Sequence, residues 1–223
     1  DSSVVSTLCA RTGIKTLVAS MPISQRPEHH DLSIKHSQWL CQKYSNAYSV
    51  EIDLTSSFFN FENTLKDKKF TSDLGFANSK ARLRMMTLYQ IAASTTGLVV
   101  GTGNKVEDFG VGFYTKYGDG GVDISPIADC NKSQVWAMGK ELGILEEIQM
   151  AEPTDGLWSD GRTDTDQLGM SYKEIEHLMT RPDEPGYEKY LAIRKKNLHK
   201  MKPIPVCKFD GKDTLDTDQK KTQ

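Results

Sequence analysis

The chain has 223 residues, of which 37% are hydrophobic and 26% are charged, values typical of a folded globular protein rather than a disordered or fibrous one. Lysine and arginine total 28 against 30 acidic residues, a net charge of -2. This balance excludes the broad basic surface of a non-specific nucleic-acid binder, so any anionic ligand must be held by a local site.

The apolar stretches are short and the cysteines are dispersed. Gly97–Val100 is far below the roughly 20 residues needed to span a bilayer, and no charged leader with an apolar core opens the chain. We therefore expect an intracellular, cytoplasmic protein without a membrane partner. The four cysteines form no C-x-x-C pair, which argues against a zinc knuckle or a disulfide framework.

Helices and strands alternate in the first part of the chain. Asp1 to Gly13 has helical spacing of apolar residues, and Thr16–Met21 is a short apolar run typical of a buried strand. A helix is predicted from Pro27 to about Tyr44, followed by an alternating strand at Tyr48–Leu54. The segment from Thr55 to Asn78 mixes phenylalanines with charged residues, and we expect an irregular connection whose aromatic side chains pack inward.

The middle of the chain has the clearest predicted helix. One face carries apolar or aromatic residues at helical spacing: Ala81, Met85, Leu88, Tyr89 and Ala92. The helix leads into a predicted buried strand at Leu98–Thr102. A glycine-rich stretch, Gly110–Asp123, separates this strand from a helix that begins at Asn131. The order is again helix, strand, helix.

The last part of the chain is predicted to be helical and then polar. Ser171–Glu174 has the form of a capping box that opens a helix. Tyr187 to Lys202 is predicted to be a basic helix, and the simplest interpretation of its basic residues is a helix face exposed to solvent. We expect one domain at residues 1–209 and a mobile polar tail at 210–223.

Alternating helices and short, non-amphipathic strands predict an α/β fold, an open parallel sheet with helices on both faces. Ligands of such sheets bind at the carboxyl ends of the strands. Met21–Pro22 and Gly101–Thr102 are both strand-end positions, so we expect a nucleotide between them.

Three segments carry groups that could bind such a ligand. Asp1–Ser3 opens a helix, where N–H groups bind anions and Asp1 could hold magnesium, although the same residues form an ordinary N-cap. Glu107 offers a hard oxygen ligand or is simply exposed in a turn. Thr115–Asp123 combines glycines with charged residues, in a binding loop or a plain surface loop.

Several other site types are excluded by spacing. His29, His30 and His36 lack the arrangement of a helical zinc motif. The sequence contains neither a G-x-S-x-G elbow nor a full Walker phosphate loop, and Gly118–Gly121 is not a dinucleotide fingerprint.

Taken in order, these segments resemble the ammonia-dependent NAD synthetases, ATP-pyrophosphatases with an adenine-nucleotide α-hydrolase-like, Rossmann-like fold. The resemblance runs from Asp1 to about Pro205, and its strongest pieces are Lys80–Met85, Val100–Thr102 with Glu107, Phe113–Gly121 and Glu152–Asp155. The family's phosphate loop has the sequence Ser-Gly-Gly-x-Asp-Ser, and Asp1–Ser2 correspond to its last two residues. We therefore expect the family's first strand and part of its phosphate loop to be missing from this sequence.

The resemblance implies a set of site residues. It implies magnesium ligands at Asp1 and Glu107. It implies ATP contacts at Ser2, Gln25, Thr102, Lys132 and Thr154. It implies deamido-NAD contacts at Arg82, Lys116, Asp123, His199 and Lys200. It assigns catalytic roles to Lys132, which neutralises the leaving group, and to Asp119, in the loop where ammonia approaches.

The implied reaction has two steps. ATP adenylates the nicotinate carboxylate of deamido-NAD with release of pyrophosphate, and ammonia then displaces AMP to give NAD. The family forms homodimers with substrate at the interface. Nothing from Asp1 onward resembles a glutaminase domain, which favours free ammonia as the nitrogen donor. A glutaminase domain would lie before Asp1, so this alternative stays open.

Two alternatives remain open. One is a different ATP-pyrophosphatase that amidates or thiolates another substrate, and the other is a non-catalytic nucleotide-binding module. Two departures from the family pattern leave the adenine contacts open: Ser20 stands where relatives can carry arginine, and Gly103–Lys105 replaces a histidine-containing version.

Overall fold

The structure is a computed structural model that describes residues 1–207. Two strands are β1 (Thr16–Ser20) and β2 (Ala47–Glu51). The α-helices are α1 (Ser2–Arg11), α2 (Pro27–Lys43), α3 (Thr55–Lys66), α4 (Asp73–Thr95), α5 (Lys132–Glu141), α6 (Glu146–Gln149), α7 (Asp164–Leu168), α8 (Tyr172–Leu178) and α9 (Tyr187–Met201). A π-helix spans Lys105–Val111. None of the helices within residues 1–207 combines the length and hydropathy of a membrane span.

The strands that form are parallel. β1 pairs with β2 in register from Thr16 opposite Ala47 to Ser20 opposite Glu51, and α2 connects the two strands. The predicted strand at Leu98–Thr102 is reduced to one parallel bridge, in which Val100 faces Ile124. Parallel pairing through helical crossovers is the arrangement that the alternating sequence pattern predicts.

The segment from Thr55 to Asn78 was predicted to be irregular, and that prediction is wrong. The structure has α3 there, followed by the beginning of α4. Phe58 is buried, but Phe59, Phe61 and Phe70 are exposed, which also contradicts the expected inward packing of the aromatic side chains. Because apolar residues lie on the outer as well as the inner face, the segment lacks the one-sided period by which an amphipathic helix is recognised.

Two apolar cores flank the region where α1, α5 and the π-helix meet. One joins α1 to α5 through Val4, Val5 and Val135. The other joins the π-helix to α8 and α9 through Val106, Ile175 and Tyr190. The residues at the start of α1, at the start of α5 and on the π-helix are therefore packed between two apolar cores.

His36 is a buried histidine that joins α2 to α1. Its side chain is 7% exposed, its Nε2 lies 2.8 Å from the Ser6 hydroxyl, and its Nδ1 is buried with no partner among the described residues. Burial lowers the pKa of His36 from 6.5 to about 4, because the charged imidazolium would lose its hydration. The folded protein therefore holds His36 neutral.

We expect His36 to weaken the fold in acid. The unfolded chain takes up the proton near pH 6.5 and the folded chain only near pH 4, so stability falls as the pH drops between these values, by up to about 3 kcal/mol. Urea unfolding of the wild type and of His36→Gln from pH 7.5 to 4 tests this. The variant should lose less stability over that range, and parallel curves would contradict the assignment.

Candidate active site

A buried lysine lies between two carboxylates. The Nζ atom of Lys132 is 2.8 Å from Asp1 Oδ2 and 2.8 Å from Glu107 Oε1. The side chain of Lys132 is only 5% exposed. Asp1 is the N-cap of α1, Glu107 is on the π-helix and Lys132 is the first residue of α5. The structure thus brings together three predicted site residues that are distant in sequence.

Asn104 positions two of these groups. It is fully buried, and its Oδ1 accepts hydrogen bonds from the backbone N–H groups of Val106 and Glu107 at 3.0 and 3.1 Å. Its Nδ2 donates to Asp1 Oδ2 at 3.1 Å. Asn104 therefore caps the π-helix at the turn that carries Glu107 and also orients Asp1.

The π-helix has backbone hydrogen bonds between residues five apart, whereas an α-helix has them between residues four apart. The backbone N–H of Gly112 bonds to the carbonyl of Glu107, five residues earlier, and Gly112 has a φ of 65°. This left-handed conformation favours glycine. Single turns of π-helix occur frequently at functional sites.

The start of α5 is fixed by side chains from two elements. Asn131 and Gln134 form a capping box around the first turn. Glu176 of α8 accepts hydrogen bonds from the backbone N–H and the hydroxyl of Ser133, both at 2.8 Å. These bonds hold Lys132 at a helix N-terminus, where the helix dipole adds positive potential to that of the ammonium group.

Tyr172 and Asp164 complete the buried polar cluster, and sequence reasoning missed both. The hydroxyl of Tyr172 lies 2.6 Å from Glu107 Oε1 and 2.7 Å from Asp164 Oδ2. Their exposed fractions are 4% and 5%. Burial raises the pKa of Asp164 to about 6, and burial together with the neighbouring carboxylates raises the pKa of Tyr172. The available signal was the Ser171 capping box, which placed Tyr172 in the first turn of α8.

The arrangement leaves carboxylate oxygens available to a ligand. Lys132 bonds to one oxygen of Asp1 and one of Glu107, and the other Asp1 oxygen, Oδ1, is buried without a partner among the described residues. Over residues 1–207, no cluster of three or more Asp, Glu, His or Cys side chains could hold a metal. The carboxylates of Asp1 and Glu107, one of them with a buried oxygen that lacks a partner among the described residues, are donors of the kind that hold Mg²⁺ together with phosphate oxygens.

Asp108 is a further acidic group beside this cluster. Burial, together with the nearby charges of Glu107 and Asp119, raises the pKa of Asp108 to about 7. A Cβ atom at residue 103 would collide with the Asp108 carboxyl group, so this close approach requires Gly103.

Two of the predicted deamido-NAD residues, Arg82 and Lys200, reach the glycine-rich stretch Gly110–Asp123, which contains Lys116 and Asp123. Arg82 of α4 donates its Nε hydrogen to the carbonyl of Lys116 at 3.1 Å. Lys200 of α9 donates to the carbonyls of Gly112 and Tyr114 at 2.9 and 2.7 Å. His199, the preceding residue, is exposed.

The two aspartates of the same loop have structural partners. Asp119 Oδ1 accepts a hydrogen bond from the Thr115 backbone N–H at 2.9 Å. Asp123 accepts from the Tyr89 hydroxyl at 3.0 Å and from the Val99 backbone N–H at 2.7 Å. Asp123 therefore links α4 to Val99, the residue before the β-bridge at Val100, in addition to any contact with substrate.

The predicted ATP residues other than Lys132 lie on separate segments. Ser2 is exposed in the first turn of α1. Thr102 lies two residues after Val100, which forms the β-bridge with Ile124. Gln25 Oε1 accepts from the Ile23 backbone N–H at 2.7 Å. Thr154 donates to the carbonyl of Arg162 at 3.0 Å.

Gln25 and Thr154 belong to segments that meet. The Gln25 amide lies next to Gly156, whose backbone N–H donates to the Thr154 hydroxyl. A cavity of about 360 Å³ opens beside them, between the end of β1, α3, α4 and the segment after Pro153. Its lining includes Ile23, Ser24, Phe58, Lys80, Trp158 and Arg162.

Comparison with known proteins gives a consistent result. The family model described as NAD synthase matches residues 1–209. An NH(3)-dependent NAD(+) synthetase of Carboxydothermus hydrogenoformans is 37% identical over 182 residues, which cover 80% of this chain and 72% of that protein.

Two solved structures are similar to the chain over most of its length. NMN synthetase from Francisella tularensis matches with a TM-score of 0.83 at 30% identity, covering 93% of this chain and 85% of that one. NH3-dependent NAD synthetase from Campylobacter jejuni, in complex with the nitrate ion, matches with a TM-score of 0.69 at 25% identity and the same coverage.

Proposed function

The chain belongs to the NAD synthase family, and from this we infer that it amidates deamido-NAD to NAD with ATP and ammonia. The predicted family, α/β fold class and carbon–nitrogen ligase activity are confirmed by the matches to relatives and solved structures. The site observation that carries the proposal is the buried ammonium group of Lys132 between Asp1 and Glu107. A module that only bound a nucleotide would not need such a group to stabilise a leaving pyrophosphate.

The first step transfers AMP to the substrate. A nicotinate carboxylate oxygen of deamido-NAD attacks the α-phosphorus of ATP, forming an O–P bond, while the bond from that phosphorus to the bridging oxygen breaks. Pyrophosphate leaves with the electron pair. Lys132, helped by Ser2 at the start of α1, neutralises the negative charge that accumulates on it.

Thr102 and Thr154 are assigned to the remaining phosphate contacts and Gln25 to the adenosine end of ATP. Thr154 and Gln25 lie on segments that meet beside the cavity at the end of β1. Asp1 and Glu107 would hold Mg²⁺, which supplies charge neutralisation to the phosphates when it is bound.

The second step forms the amide. The nitrogen of ammonia attacks the carbonyl carbon of the adenylate, the C–N bond forms, and the C–O bond to AMP breaks. The nitrogen then loses a proton, and Asp119 is the carboxylate that we assign to the ammonia side. No covalent enzyme intermediate is required, because catalysis comes from positioning and from charge neutralisation.

The deamido-NAD side is assigned to Arg82, Lys116, Asp123, His199 and Lys200. Support comes from two of these side chains that reach the stretch Gly110–Asp123: Arg82 bonds to the backbone of Lys116, and Lys200 bonds to Gly112 and Tyr114. Two cationic side chains near this loop suit a substrate that carries phosphates and a carboxylate.

The test supplies the protein with ATP, Mg²⁺ and deamido-NAD, and with either ammonium or glutamine. The products are read by mass for NAD, AMP and pyrophosphate. We expect all three products with ammonium. With glutamine we expect neither NAD nor AMP, and at most one equivalent of pyrophosphate per enzyme, because the first step needs no nitrogen donor. Turnover with glutamine would contradict dependence on free ammonia, and ATP binding without any NAD would favour a different substrate or a non-catalytic module.

A second candidate is amidation of the mononucleotide to NMN. It is favoured by the TM-score of 0.83 to the Francisella tularensis NMN synthetase, against 0.69 to the Campylobacter jejuni NAD synthetase. Competition between nicotinate mononucleotide and deamido-NAD in one reaction decides between them. We expect a higher kcat/KM for deamido-NAD, and a preference for the mononucleotide would replace the first proposal.

We propose that the enzyme acts in the cytoplasm as a homodimer, with neither nucleic acid nor membrane as a partner. Support for the dimer comes from one side of α4, where Met86 and Tyr89 are 65% and 38% exposed and lie one and two turns after Arg82. Residues four apart on a helix are neighbours, so an apolar surface borders the proposed substrate side.

Met86→Glu is expected to convert the dimer into a monomer, because it places a charge within the apolar contact. Size-exclusion chromatography with light scattering should give about 50 kDa for the wild type, twice the 25.0 kDa chain, and about 25 kDa for the variant. Met150→Glu is the control, since Met150 is 77% exposed at the end of α6. A monomeric wild type, or a dimeric Met86→Glu, would contradict the proposal.

A further inference from the structure

The hydroxyl group of Tyr172 lies between two carboxyl groups. It is 2.6 Å from Glu107 Oε1 and 2.7 Å from Asp164 Oδ2. Tyr172 and Asp164 are both buried, at 4% and 5% exposure. Solvent is therefore not the partner that orients this hydroxyl.

The hydrogen bonds of this hydroxyl can be counted. A phenol has one hydrogen and can donate it to one carboxylate. The second short contact requires a hydrogen from the other side. Asp164 can supply it through a protonated Oδ2, so that Asp164 donates to Tyr172 and Tyr172 donates to Glu107. Glu107 is the final acceptor in this series of hydrogen bonds, since its carboxylate also accepts a hydrogen bond from Lys132.

We propose that Tyr172 and Asp164 are positioning residues for the metal-binding carboxylate of Glu107. Tyr172 and Lys132 both bond to Glu107 Oε1, at 2.6 and 2.8 Å, so these two bonds fix one oxygen and leave Oε2 to face the ligand. Groups that hold a ligating side chain in this way typically change metal affinity by 10- to 100-fold when removed. The inference rests on the proposed magnesium site of Asp1 and Glu107.

The ring of Tyr172 has a separate role in packing. It belongs to the core cluster with Ile175 and Tyr190, and it meets the ring of Trp136 edge to face at 6.2 Å. Lys132 Nζ lies 4.6 Å from its centroid. Phenylalanine retains these contacts, so Tyr172→Phe removes the hydroxyl function and leaves the packing in place.

The experiment measures Mn²⁺ binding by electron paramagnetic resonance of the free ion, in the presence of a saturating non-hydrolysable ATP analogue. Tyr172→Phe should bind Mn²⁺ about 10-fold more weakly than the wild type. Tyr190→Phe is the matched control, because it removes a buried hydroxyl from the same cluster, and it should bind as the wild type does. Thermal unfolding of both variants checks the fold.

Asp164 provides a rescue test. Asp164→Asn keeps a side chain that can donate to Tyr172 and should stay within about threefold of the wild-type affinity, whereas Asp164→Ala should lose about as much as Tyr172→Phe. In turnover, Tyr172→Phe should raise the half-saturating Mg²⁺ concentration about 10-fold with little change in kcat at saturating Mg²⁺.

Unchanged Mn²⁺ affinity in Tyr172→Phe, or an equal loss in Tyr172→Phe and Tyr190→Phe, would overturn the inference. The Mn²⁺ measurement needs no deamido-NAD. A wild type that fails to make NAD would therefore contradict the proposed function, while the Mn²⁺ affinities would still decide the role of Tyr172.

Discussion

Lys132→Met is expected to lower turnover by about 1000-fold, the upper range for loss of a group that stabilises transition-state charge. Methionine has a similar length but no charge, so it leaves the pyrophosphate without its cation. The variant should also be less stable by about 3 kcal/mol, because Asp1 and Glu107 would be left close together without the ammonium group that both contact.

Steady-state turnover and urea unfolding measure the two effects. Lys105→Met is the matched control: Lys105 also pairs with a carboxylate at 2.8 Å, but Asp129 is 96% exposed and the pair is at the surface. The control should change neither quantity appreciably. Equal losses in both variants, or near-normal turnover in Lys132→Met, would contradict the assigned role.

Glu107→Ala is expected to reduce turnover by about 100-fold or more while the protein remains folded. The change removes an oxygen ligand of the proposed metal site. The fold should persist because Lys132 retains its bond to Asp1 and α5 retains its capping box. The loss should be largest at limiting Mg²⁺ and partly recovered at high Mg²⁺.

The measurement is turnover as a function of Mg²⁺ concentration, with circular dichroism to check the fold. Glu147→Ala is the control, since Glu147 pairs with Lys35 at the surface, where both side chains are about half exposed. Near-normal turnover of Glu107→Ala at limiting Mg²⁺ would remove Glu107 from the metal site.

Local sequence patterns were enough to predict most helices and both strands. The Ser171 capping box begins α8 as predicted, and the predicted strand at Thr16–Met21 corresponds to β1. These elements are stabilised by their own periodicity and capping residues, which a single sequence shows. The π-helix could not be predicted in this way, because its five-residue hydrogen-bond spacing gives a short segment neither the side-chain period of an α-helix nor that of a strand.

The site was predictable only in part. Resemblance to a family supplied Asp1, Glu107 and Lys132, and the structure places these three in contact. Asn104 and Asp164 were missed because each looks locally like an ordinary capping or first-turn residue. Their roles depend on partners that are far away in sequence, such as Asp1, 103 residues from Asn104.

The π-helix would allow the segment after Glu107 to change in length without moving the Glu107 carboxylate. Glu107 is held from its N-terminal side by Asn104, whereas the five-residue hydrogen bond lies on the C-terminal side, from Gly112 back to Glu107. Deleting one residue at Phe109, which is 52% exposed, would restore the four-residue spacing of an α-helix beyond the carboxylate. A variant that is one residue shorter between Glu107 and Gly112 is therefore expected to keep the Glu107 carboxylate in place.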